Sequence, residues 1–128
     1  MEPQAFEYNK SEKFNMPLFQ KLGDLGVLGL SISEEYGGAG LDAASVVIAH
    51  EELSYSDPAF CLSYLAHSIL FGNNLNVNGS EEQKLQWLPS VCDGTTIGGM
   101  CMSEPGAGTD VLGMSTVAKY DAGLDSYI

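Results

Sequence analysis

Between Cys101 and Gly113 the chain reads C-M-S-E-P-G-A-G-T-D-V-L-G, and these residue types suit the holding of a ligand. Pro105 stiffens the backbone, while Gly106 and Gly108 let it approach another molecule closely. Ser103 and Thr109 place a hydroxyl at either end, and no Lys or Arg lies between them. A loop that offers N–H and O–H donors without a point charge fits a ring bearing carbonyl oxygens and an attached pyrophosphate, as in a flavin nucleotide.

Other nucleotide and metal chemistries fail on the residues. A P-loop needs G-x-x-x-x-G-K-[ST], and the chain contains no Gly-Lys pair. Gly38, Gly40 and Ala43 satisfy G-x-G-x-x-A ahead of a helix. However, they do not directly follow a strand. Cys61, Cys92 and Cys101 are odd in number and too widely spaced for a C-x-x-C clip, so buried thiols in a reducing compartment are expected. His50 and His67 stand alone in helical-looking segments, where they read as packing or surface residues, and no metal site is expected. Five Lys and Arg against 17 Asp and Glu give a net charge of -12, which repels phosphate backbones and argues against nucleic acid. No apolar run approaches the roughly 18 residues of a membrane span, and the start lacks the Arg-rich, acid-poor character of a transit peptide. The chain therefore reads as soluble.

The elements that must position the loop are mostly helical. Pro17 favours a first helix from about Met16, with Leu18, Leu22, Leu25 and Phe19 turned to a core and Gly26 and Gly29 ending it. The stretch LSISEEYGGAGLD is turn-rich, and its Gly37, Gly38 and Gly40 suit backbone conformations closed to other residues. Asp42 can cap a second helix through Val46, Val47 and Leu53, ended by Asp57 and Pro58. A longer apolar helix from about Ala59 to Val77 should be buried on several sides. Ser80 with Gln83 forms a capping box for a helix presenting Leu85, Trp87 and Leu88, after which Pro89 is expected to open a separate turn. Near residue 95 the helical period is lost. TTIGGMCMS and MSTVAKY read as strands flanking the loop, and the chain stops at Tyr127 and Ile128 in what reads as another strand, which suggests truncation.

The segment MCMSEPGAGTDVLG resembles the first sequence motif of the acyl-CoA dehydrogenase family, at its Ser-Glu-Pro start, both glycines, the Thr-Asp pair and Gly113. LGDLGVLGL, EEYGGAGLD, NGSEEQKLQWLP and DGTTIGGM resemble the same family in the same order, over roughly residues 16 to 120. LSYLAHSIL and the Asn-Gly before SEEQK look closest to its isovaleryl-CoA-oxidising branch.

The resemblance implies a mainly α fold: an amino-terminal helical domain over residues 1–95, then the first strands of a middle β-barrel domain over 96–128. It implies FAD as cofactor, with Met100, Cys101, Met102, Ser103, Glu104, Pro105, Gly106, Ala107, Gly108 and Thr109 lining it. Ser103 would bond the flavin ring, Thr109 would also contact the acyl-CoA thioester arm, and Glu104 would serve the structure of the loop. The helix from Leu62 to Phe71 would wall the acyl pocket, or be plain core.

In the family a glutamate removes the α-proton of the thioester while a hydride passes to the flavin, and electrons leave to electron-transferring flavoprotein. That base is expected beyond residue 128, so no catalytic residue is assigned here, and the 128 residues alone are expected to be inactive. A homotetramer is implied for the full-length enzyme, in the mitochondrial matrix of a eukaryote or the cytoplasm otherwise. An acyl-CoA oxidase, or a non-catalytic acidic helical module that docks a partner, are the alternatives on these residues.

Overall fold

Asn15 accepts a hydrogen bond from the N–H of Leu18 at 3.1 Å, and Pro17 lies in the first turn, so α2 (Met16–Asp24) begins where the sequence predicts. The computed structural model describes residues 2–128. Asp42 caps α3 (Ala43–Ser56) through Ser45 N at 2.9 Å, and Asp57 caps α4 (Pro58–Leu65) through Phe60 N at 3.0 Å. Helix α4 runs without a break into a π-helical segment (Ala66–Asn73) and then α5 (Asn74–Asn78). The capping box forms in both directions. Ser80 Oγ accepts from Gln83 N at 3.2 Å, and Gln83 Oε1 accepts from Ser80 N at 2.9 Å, opening α6 (Glu81–Cys92).

Two apolar clusters hold these helices together. Phe19, Leu22, Leu28, Leu53, Phe60, Cys61 and Tyr64 form one, and Ile32, Tyr36, Leu88, Val91 and Cys92 form the other. Each fully buried large side chain contributes about 1.5–3 kcal/mol of transfer free energy. His67 is 1% exposed and joins the clusters. Its ring stands edge-on to Phe19 at 5.0 Å, and its Nε2 bonds the Val91 carbonyl at 2.9 Å.

The turn-rich connection depends on its glycines. Gly37 and Gly40 have φ of 88° and 61°, in the left-handed region, and a Cβ on Gly38 would collide with the Ile32 carbonyl. The G-x-G-x-x-A spacing is thus explained by a tight connection.

Several expectations are corrected. A helix that the sequence reading missed, α1 (Glu2–Lys10), precedes α2. Pro89 lies inside α6 and opens no separate turn; the Pro89 carbonyl accepts from Asp93 N, and the interior proline is tolerated beside the buried Leu88, Val91 and Cys92. Leu25, Val47 and Leu85 are exposed, because the core-facing stripes are narrower than the apolar runs. Neither TTIGGMCMS nor MSTVAKY forms a ladder over its length. Among the described residues, strand pairing is confined to the antiparallel hairpin β1 (Tyr120–Asp121) with β2 (Ser126–Tyr127) and a single bridge, Glu104 to Ala107. The last residues lie in that hairpin, with Ile128 and Lys119 exchanging backbone hydrogen bonds at 2.9 and 3.0 Å. The fold is mainly α, as the sequence predicts.

Candidate functional site

The loop from Met100 to Thr109 is built around the carboxylate of Glu104. Glu104 and Ala107 exchange backbone hydrogen bonds at 2.9 and 3.1 Å, closing a turn over Pro105 and Gly106, with Ala107 buried beneath. The Glu104 carboxylate accepts from Ser115 N at 2.8 Å, Ser115 Oγ at 3.1 Å and Thr116 N at 2.9 Å. The donors at Ser115 and Thr116 favour the charged form and hold this carboxyl down at about 2. Asp110 is likewise committed, accepting from Gly113 N at 3.2 Å.

The carboxylate oxygens of Glu104 are thus engaged within the segment 104–116. Ser103 and Thr109 are exposed, as are Cys101, Met102, Pro105, Gly106 and Gly108, while Met100 is half-buried. Among the described residues, the N–H groups of Gly106, Gly108 and Thr109 donate to no protein acceptor. Glu104 is engaged by Ser115 and Thr116, while the Ser103 and Thr109 hydroxyls and the N–H groups of Gly106, Gly108 and Thr109 make no hydrogen bond among the described residues. That donor set fits a flavin, whose ring and pyrophosphate oxygens are acceptors.

The loop leaves the helical body through residues 93–98. Thr95 N donates to Asp93 Oδ1 at 2.8 Å, Thr96 N to the Ser90 carbonyl at 2.9 Å, and Gly98 N to His67 Nδ1 at 3.1 Å. A Cβ on Gly98 would collide with the Phe71 ring, so only glycine lets the chain pass so close to the π-helical segment. Along the neighbouring helix, Leu62 is 69% exposed, and Ala66, Leu70 and Phe71 are half-buried, an apolar strip at the surface.

A concavity of about 790 Å³ lies between α3 and α4, lined by Val46, Val47, His50, Leu65 and Ile69 among others. It includes no residue of the 100–109 loop. His50 Nδ1 donates to the Val46 carbonyl at 2.8 Å, and its Nε2 has no partner among the described residues.

Sequence reasoning singled out the loop residues but not the buried contact of His67 with Gly98 at the loop's entrance. His67 reads in sequence as one more residue of an apolar helix, and its two hydrogen bonds span 24 and 31 positions. No local pattern records such a pairing. Among the described residues no group of His, Cys, Asp and Glu could hold a metal ion, and no helix is long and apolar enough to cross a membrane.

A helical body leading into a polar loop and a short β hairpin is an architecture shared with solved acyl-CoA dehydrogenase chains. The family described as acyl-CoA dehydrogenase, N-terminal domain, matches residues 1–95, and this chain belongs to the acyl-CoA dehydrogenase family, which is FAD-dependent. A mitochondrial isovaleryl-CoA dehydrogenase of Pongo abelii is 45% identical over 119 residues, covering 91% of this chain and 28% of its own length. A chain from the structure described as the electron transferring flavoprotein of Acidaminococcus fermentans superimposes with a TM-score of 0.92 at 35% identity, over 100% of this chain and 33% of that one. An acyl-CoA dehydrogenase of Bacillus anthracis complexed with FAD gives a TM-score of 0.85 at 34% identity, over 94% of this chain and 21% of that one. The chain spans about a third or less of the length of these relatives.

Proposed function

We propose that these residues serve an FAD-dependent acyl-CoA dehydrogenase, oxidising a short or branched acyl-CoA to its 2,3-enoyl-CoA, by supplying one flavin-facing loop and one wall of the acyl pocket. The observation that carries this reading is the disposition of Glu104. Its oxygens are engaged by Ser115 and Thr116, which leaves Ser103, Gly106, Gly108 and Thr109 exposed as donors for the carbonyl and pyrophosphate oxygens of a flavin. FAD, when bound, supplies the hydride acceptor.

In this reading residues 1–95 are the helical domain and 96–128 the start of a β domain. Met100 to Thr109 line the flavin, the Ser103 hydroxyl donates to the ring, and the Thr109 hydroxyl serves both the flavin and the thioester arm. Leu62, Ala66 and Leu70 face the acyl chain, where their volume sets the preference for length and branching. The isovaleryl-CoA dehydrogenase of Pongo abelii supports a branched substrate. Electron-transferring flavoprotein as acceptor, a homotetramer, and a mitochondrial matrix or bacterial cytoplasmic setting belong to the same reading. One donor loop cannot enclose a dinucleotide, so the 128 residues alone bind FAD weakly and do not turn over.

The test is purification of the full-length protein, followed by assays with isovaleryl-CoA, butyryl-CoA and octanoyl-CoA, using electron-transferring flavoprotein or oxygen as acceptor. A yellow protein that reduces electron-transferring flavoprotein with a short or branched thioester is expected. Rapid oxygen consumption would assign an oxidase instead. A colourless protein indifferent to acyl thioesters would overturn the reading.

A further inference from the structure

Among the described residues, no hydrogen bond joins the segment 99–128 to the helical body. The bonds of Glu104, Asp110, Ser115, Thr116 and the hairpin all stay within that segment. The last tie before it is Gly98 N to His67 Nδ1 at 3.1 Å. His67 itself is held from the other side, with Nε2 at 2.9 Å from the Val91 carbonyl. A carbonyl only accepts and an amide N–H only donates, so this pair of partners admits one form of the ring: neutral, with the proton on Nε2.

From this geometry we infer that His67 is a positioning residue, whose neutral Nε2–H tautomer sets where the 100–109 loop stands relative to the apolar helix strip at Leu62, Ala66 and Leu70. The helix supplies one wall and the loop the other. The spacing between them is carried by one imidazole that sits in the π-helical turn and grips the loop at its entrance. A π-helical turn carries one more residue than an α-turn, which re-aims the side chains around it. Gly98 must be glycine for the grip to close, because a Cβ there would strike Phe71, a residue of the same π-helical segment.

The surroundings keep the ring uncharged. The Phe19 ring stands nearly perpendicular to it from α2, and the Val91 carbonyl from α6 and the Gly98 N–H at the loop's entrance bond its two nitrogens. On its own helix Cys61 and Tyr64 are buried, and burial raises both. On α6 the Cys92 thiol is pushed up to about 11, chiefly by burial. The charged side chains on these elements are Lys21 and Asp24 on α2, Glu81, Glu82 and Lys84 on α6, and Asp93, with only Lys84 half-buried and the others exposed. Burial lowers the proton affinity of His67, opposed in part by the Val91 carbonyl. A second proton on Nδ1 would face the Gly98 N–H head-on and expel it.

Two amides separate the two contacts. Asparagine places its Oδ1 near the Nδ1 position and can accept from Gly98 N; glutamine places its amide nitrogen near Nε2 and can donate to Val91. In nuclear magnetic resonance of the 128-residue chain at pH 7, His67→Asn is expected to keep hydrogen-exchange protection at Gly98 and the wild-type residual dipolar couplings of the 104–128 segment. His67→Gln is expected to lose about five- to tenfold of that protection and to change those couplings relative to the helices. Equal behaviour of the two variants at Gly98 and in the couplings would reduce His67 to packing and overturn the inference.

The unmodified chain gives a second arm that does not depend on any variant folding. As pH falls from 7 to 5, the Gly98 amide resonance should move with the same midpoint as the His67 ring resonances, below the ordinary imidazole range. A Gly98 amide that ignores the His67 titration would also overturn it. The functional consequence rests on the proposed flavin reading, and the full-length protein separates the two. His67→Gln should bind added FAD more weakly than His67→Asn. If the grip on Gly98 is seen but FAD binds neither variant nor the wild type, the flavin reading fails and the inference stands.

Discussion

Glu104→Gln tests whether an internal charge organises the loop from Met100 to Thr109. In the native chain the carboxylate receives three hydrogen bonds between 2.8 and 3.1 Å, two from backbone N–H groups and one from a hydroxyl. These donors favour the charged form and bring its carboxyl from an ordinary 4.5 to about 2. The direction of the pH effect follows. The folded value is lowered, so the stabilisation is fully present above pH 4.5 and is lost as pH falls through that value toward about 2. Glutamine keeps the shape but presents one carbonyl oxygen and an NH2 group, which cannot satisfy donors on both sides. At pH 7 the variant should lose hydrogen-exchange protection at Ser115 and Thr116 while α2 to α6 keep theirs, and the full-length variant should bind FAD more weakly. In the native chain the Thr116 amide resonance should titrate with a midpoint clearly below 4.5. A midpoint in the ordinary carboxyl range, or unchanged exchange at Ser115 and Thr116 in the glutamine variant, would refute the reasoning.

Three further outcomes are expected. Leu88→Ala removes a fully buried side chain from the second apolar cluster and should lower unfolding free energy by about 2–5 kcal/mol, read from urea denaturation. Ser80→Ala removes the acceptor of Gln83 N in the capping box and should cost about 1 kcal/mol, measured by thermal unfolding, with the loss largest in exchange at the start of α6. Leu62→Phe alters a side chain 69% exposed in the chain, so it should change unfolding free energy by less than about 0.5 kcal/mol. The same change should lower the full-length enzyme's kcat/KM for branched thioesters relative to straight ones.

The chain's local grammar was readable in advance. Asp42 and Ser80 open helices and Pro17 sits in a first turn as expected, because a cap is satisfied by residues three positions away; Asn15 as the cap of α2, and Asp57 with Pro58 as the start of α4, were not anticipated. The stretch from Met100 to Thr109 could be singled out in the sequence because its Pro, Gly and hydroxyl residues are contiguous. Helix α1 escaped notice because it has no apolar stripe; it is held by polar contacts such as Asn15 Nδ2 to Gln4 Oε1 at 3.0 Å, which no periodicity records. Pro89 misled because its rule is local while the burial of Leu88 and Val91 around it is not.

What tertiary structure alone decided is where Glu104, His67 and Gly98 spend their hydrogen bonds. Glu104 reads as a charge in a ligand loop and acts as its internal clasp across 11 and 12 positions; His67 reads as one more residue of an apolar helix and grips the loop's entrance across 31. Composition and spacing specify which donors and acceptors a chain owns. Pairing between residues far apart in sequence exists only once the helices have packed and brought them within 3 Å or so of each other.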